Sequence, residues 1–215
     1  MRVMSPLLVR EGVRRDDFLA TLGSRTWRAR AHAASALGDL EAVSSRAAYA
    51  GWLARSADAW SRLPLPPALP VALPRAIGEQ PWPLLSVGPE CLGGHEELAT
   101  DLADLADLAN LGGRAEPARR HGAVDEAFLV GAAHVAVVAA GDAAALLDAA
   151  TALAVRPDGP VGTRFLVRCQ GLARSRTVLR AELGAWAADV DPETAERAVL
   201  AAQALTLELA EALRG

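Results

Sequence analysis

Lysine is absent from this chain: all 22 basic residues are arginine. So uniform a choice reflects compositional bias as much as site chemistry, so the number of arginines carries no argument, while the position of each one can. Isoleucine occurs once and aromatic residues make up only 4% of the 215 positions. Pleated surfaces favour β-branched and aromatic side chains, so this poverty, set against abundant alanine and leucine, disfavours a sheet-built core and favours helices. The two cysteines, Cys91 and Cys169, stand far apart and form no metal-type pair, and no basic segment followed by an apolar one opens the chain. A reduced, cytoplasmic protein is expected. Asp, Glu or Arg interrupts the apolar runs before they reach about 18 residues, so no membrane span is expected. A net charge of −4, with no basic stripe interleaved with aromatics, argues against nucleic acid as a partner.

What is present is helical periodicity. Residues 1–15 mix apolar and basic residues without a period and read as a lead-in; residues 16–215 read as one helical domain, within the length that a single core can serve. Asp16 and Asp17 suit a helix N-terminus, and the first helix is expected to run to about residue 41. After a cap at Ser44-Ser45, Tyr49, Trp52, Leu53, Ala57, Trp60 and Leu63 mark a second helix, ending before Pro64 and pairing antiparallel with the first. Residues 64–94 hold most of the prolines and form an apolar connection. A short helix follows over His95–Leu111, whose Asp101, Asp104 and Asp107 read as a solvated strip. Asp125 opens a helix that is apolar nearly all round and runs to about Val155, so it belongs at the centre. Phe165–Ala188 reads as one further helix, and Asp191-Pro192-Glu193 starts the last one, with proline at its first position. The expected fold class is an all-α, single-domain helical bundle.

Candidate chemistry begins at Arg25-Thr26-Trp27-Arg28-Ala29-Arg30-Ala31-His32, where helical spacing puts Arg25, Arg28 and His32 on one face. A neutral imidazole flanked by guanidinium groups suits an axial haem ligand with propionate partners, although such residues near a helix start are more often an ordinary solvated face. His134, in the middle of the apolar helix, reads either as a second ligand or, more simply, as a buried neutral imidazole bonded to another polar group. A di-iron site would need Glu-x-x-His pairs, and neither Glu96, Glu97 nor Glu126 has a histidine three residues on. Neither cysteine sits in a nucleophile motif.

The order of pieces over residues 17–213 resembles the haem oxygenase family in its bacterial, biliverdin-producing form. Arg25 to Leu40 resembles that family's proximal helix, Arg46 to Leu53 the helix after it, His95 to Leu102 a short acidic helix, and Gly141-Asp142 the distal helix. The resemblance implies haem as both cofactor and substrate, held between the first helix and residues 131–150. It implies His32 as axial metal ligand, Arg25, Arg176 and Arg180 as propionate partners, Gly141 for close approach to the ring, and Asp142 as anchor of a proton-delivering water network. The implied reaction is oxidative opening of haem to biliverdin, iron and carbon monoxide. Electrons would come from an external reductase or ferredoxin, because the chain carries no nucleotide or flavin fingerprint. Where the family has further glycines, this chain has Ala143, Ala144, Ala145 and Leu146. A bundle that kept the scaffold without the oxygen chemistry, as a haem-binding or interaction module, is the alternative. The oxygenase reading requires Gly141 to line the cavity and Leu146 to point away from it.

Overall fold

The computed structural model describes residues 17–61, 100–101, 125–154, 162–174 and 176–214. These form seven α-helices: α1 (Phe18–Leu37), α2 (Arg46–Ser61), α3 (Glu126–Ala144), α4 (Leu147–Ala154), α5 (Arg164–Arg174), α6 (Arg176–Asp189) and α7 (Pro192–Arg214), with a 3₁₀ turn at Leu40–Val43. No strand occurs among the described residues, as the composition predicts. The lead-in and the 64–94 connection lie outside them, as does all of the expected 95–111 helix but Thr100 and Asp101.

Local chemistry sets three of the seven helix starts. Ser45 Oγ accepts the Ala48 amide at 3.1 Å, Asp125 accepts the Phe128 amide at 2.9 Å, and Asp191 accepts the Thr194 amide at 2.9 Å. Each satisfies one of the donors that a first helical turn leaves unpaired. The Asp191 side chain also accepts the Thr194 hydroxyl at 2.7 Å, and these bonds hold its carboxyl below its ordinary range. Asp17 stands at the corresponding position of α1 but makes no side-chain bond to the helix.

Two expected spans differ. The first helix stops at Leu37 because Asp39, accepting the Glu41 amide at 3.0 Å, restarts the chain as a tighter turn. The apolar 125–155 span breaks at Ala145-Leu146, where no glycine or proline stands. The break places Leu146 wholly inside the core, so packing rather than propensity decides it. The 165–188 span holds α5 and α6 on either side of Ser175, which lies outside the described residues.

The core sits where α3 and α7 cross. Both contact α1, α7 also contacts α2, and α3 lies along α5. The first two helices thus meet mainly through α7 rather than as a simple pair, although the Trp52 indole donates to the Ala36 carbonyl at 3.2 Å. The α3–α7 crossing is close: a Cβ on Gly131 would come within 2.8 Å of the Ala198 carbonyl and the Ala202 amide. Only a residue without a side chain lets the two backbones approach so far. Helix α3 is long and apolar enough to cross a membrane, and 61% of its apolar window is buried within the bundle.

Candidate functional site

A cavity of about 340 Å³ opens between α1, α3 and α6. Helix α1 contributes a strip that repeats every three or four residues: Leu19, Leu22, Gly23, Thr26, Trp27, Arg30, Ala31 and Ala34. From α6 come Arg176, Leu179, Arg180 and Leu183, again one helical strip, and from α3 come His134, Val137 and Val138. The walls are therefore aliphatic, with one imidazole and three guanidinium groups set into them.

Their electrostatics are uneven. Arg30 pairs with Asp142, Nη2 to Oδ1 at 3.3 Å. Arg176 and Arg180 are exposed and have no acid within ion-pair distance among the described residues, Glu182 of the same helix included. Both oxygens of Glu182 are buried without a partner, and burial raises its carboxyl to about 7. Burial lowers the His134 imidazole to about 4, helped by the charges of Arg30, Arg176 and Arg180. At neutral pH the cavity thus holds an uncharged imidazole and two uncompensated cations.

The sequence-derived residues divide. Arg176 and Arg180 line the cavity. His32 does not: it is exposed, and its Nδ1 lies 2.9 Å from the Arg28 carbonyl of its own helix. Arg25 also faces outward and pairs with Glu196 at 3.6 Å. Arg25, Arg28 and His32 do share a face, but it is the solvent face. At 3.6 residues per turn a step of two residues is about 200°, so a helix that turns Arg30 inward must turn His32 out. Gly141 packs towards Ala173 of α5 instead of the cavity, and Leu146 is in the core away from it, so one of the two conditions set by the oxygenase reading is met. Asp142 reaches the site through Arg30. The residues present fit a ligand held by its carboxylates on Arg176 and Arg180; they do not fit an iron ligated by His32. Among the described residues no cluster of three or more His, Cys, Asp or Glu side chains is arranged to hold a metal ion.

Sequence reasoning missed Arg30 and Trp27 as cavity residues and underrated Asp101. Far from a solvated strip, the Asp101 side chain is fully buried and tied to the start of α5: Oδ2 accepts the Phe165 amide at 3.0 Å and Oδ1 faces Arg164 at 3.3 Å. Burial raises its carboxyl, against the pull of those bonds. The Tyr49 hydroxyl donates to the Gly162 carbonyl beside it at 2.9 Å, and a Cβ on Gly162 would run into the Asp101 carboxylate. Tyr49, Trp52, Trp60 and Phe165 pack around this point, with centroids 5.2–6.1 Å apart. Asp104 and Asp107 lie outside the described residues, as does Cys91; Cys169 is buried in the core.

No family model, no curated protein and no solved structure matches this chain.

Proposed function

We propose that this protein binds an amphipathic organic anion between α1, α3 and α6 without transforming it, haem being the first candidate. The observation that carries the reading is the pair of unpartnered guanidinium groups, Arg176 and Arg180, at the edge of an otherwise aliphatic cavity. A cavity of this kind takes an apolar body and fixes its orientation through a few polar groups. Arginine is suited to the acidic end because its fork meets a carboxylate with two parallel bonds. The neutral His134 leaves the apolar wall free of a further charge. Haem belongs to this ligand class through its propionates.

The test is a titration with hemin followed at the Soret band, then ascorbate under air. We expect a saturable one-to-one shift that persists under ascorbate, and that weakens by about tenfold or more in the Arg176→Gln/Arg180→Gln double variant, as loss of charge-assisted bonds to a partly desolvated anion requires. Failure of hemin and of simple aliphatic acids alike to bind would overturn the reading.

The ring-opening activity expected from the resemblance is a second reading. One observation favours it, the buried Asp142 Oδ2 without a hydrogen-bond partner, and two stand against it, the outward His32 and the Gly141 that packs away from the cavity. Decay of the Soret band into a biliverdin spectrum, with an external reductase or ferredoxin as electron source, would put this reading first.

A further inference from the structure

The floor of the cavity is built differently from its edge. Arg30 and Asp142 meet through one contact of 3.3 Å, whereas an arginine and a carboxylate free to choose their geometry make two parallel bonds, each shorter. The remaining groups of the fork are unspent: the Arg30 Nε–H and the Asp142 Oδ2 are both buried without a hydrogen-bond partner. Leaving a buried donor and a buried acceptor unmade is costly, and folded proteins rarely leave both in one pair.

The neighbours do not make up the deficit. A small space of about 10 Å³ adjoins the main cavity and shares Thr26, Arg30, His134 and Val138 with it; Asp142 and Thr206 complete its polar lining. Both hydroxyl protons there are committed, Thr26 to the Leu22 carbonyl at 2.8 Å and Thr206 to the Ala202 carbonyl at 2.6 Å. Neither can serve Asp142. The space suits one group of about the size of a water oxygen.

Charge decides what that group is. Arg30 and Asp142 cancel and His134 is uncharged, so the floor is neutral while the edge carries two cations. An anion at the floor would meet the Asp142 carboxylate, and a cation would meet the Arg30 guanidinium. A group that accepts from Nε–H and donates to Oδ2 meets neither penalty.

Resting on the anion-binding reading above, we propose that the ligand has two unlike ends: an acidic group for Arg176 and Arg180, and at the floor a neutral group that both donates and accepts a hydrogen bond, namely a hydroxyl, an amide or a lactam edge, set between Arg30 Nε and Asp142 Oδ2. The apolar body between them lies along Leu22, Val138 and Leu179; haem, whose other edges carry only hydrocarbon substituents, meets the first end and not the second.

The experiment is calorimetric titration of the whole chain with hexanoate, octanoate and decanoate, each beside its ω-hydroxy derivative and its diacid. At the best chain length the hydroxy acid is expected to bind about fivefold more tightly than the plain acid, the equivalent of one hydrogen bond, and the diacid more weakly than either. In Asp142→Asn the Arg30 charge is no longer compensated, and the order is expected to turn over, with the diacid becoming the tightest of the three. Circular dichroism checks that this variant folds, and the unaltered protein decides the matter alone if it does not. Equal binding of plain and hydroxy acids by the unaltered protein would overturn this proposal and leave the anion-binding reading standing. Failure of every acid would overturn this proposal, and failure of hemin as well would overturn the reading beneath it.

Discussion

Asp101 and Asp142 are both carboxylates set between helices, and each faces an arginine at 3.3 Å. They do opposite work. Around Asp101 both oxygens are engaged, the neighbouring tyrosine hydroxyl is bonded, and four of the described aromatic rings close over the place. Around Asp142 one oxygen is spent and one is not, and the surroundings open into a cavity with three arginines. An identical ion-pair distance thus says little; what separates a strut from a site is whether the remaining hydrogen-bonding capacity has been used up inside the fold.

The largest effect should come from breaking the strut. Asp101→Ala removes a helix cap and strands the Phe165 amide, so we expect a loss of about 2–3 kcal/mol and a fall in melting temperature of roughly 5–10 °C, with ligand affinity unchanged. Asp142→Ala should cost less than about 1 kcal/mol, because Arg30 is a third exposed at its side chain and can turn to water, while selectivity among ligands changes. Equal destabilisation by the two substitutions, read by thermal melts, would erase the distinction between the two regions.

Acidity sharpens the comparison next. The unfolded His134 imidazole takes up its proton near 6.5 and the folded one near 4, so within that window the unfolded state binds more protons and stability falls as pH falls. Glu182 has the opposite sign: its folded carboxyl protonates near 7 and its unfolded one near 4.5, so its contribution grows as pH falls between them. Each is expected to be on the order of 1–2 kcal/mol, and between pH 4.5 and 6.5 they oppose one another. His134→Leu should therefore make the protein gain stability towards acid, and Glu182→Gln should make it lose more than the unaltered chain; urea midpoints across this range measure both. The smallest effect is expected from Arg176→Gln and Arg180→Gln, which should each move stability by less than about 0.5 kcal/mol while weakening anion binding.

Much of the architecture was legible because it is written in local chemistry. The caps at Ser45, Asp125 and Asp191 are short-range hydrogen bonds, and the all-round apolar character of α3 marks it as central without reference to any neighbour. The site was less legible for a reason particular to this composition. Alanine covers both faces of α1: Ala29 and Ala33 are buried, Ala20 and Ala31 exposed, so the apolar pattern does not say which arginines turn inward. The strip Leu22, Thr26, Arg30, one turn apart at each step, was the available signal, with Asp142 as the lone acid late in an apolar helix. For Asp101 no such signal existed. Its partners, Arg164 and Phe165, lie more than 60 residues further along the chain, and the repeated Asp-Leu-Ala triplets around it look alike although at least one of their acids is a strut.

Three of the described tryptophans, Trp52, Trp60 and Trp186, are at most 2% exposed, whereas Trp27, on the cavity wall, is 59% exposed. Of these four indoles Trp27, in contact with water, should emit at the longest wavelength, and it stands where a guest would pass. A blue shift or quenching on mixing, absent from Trp27→Phe, would report occupancy in real time with no dye attached, so that arrival and departure could be timed as well as weighed.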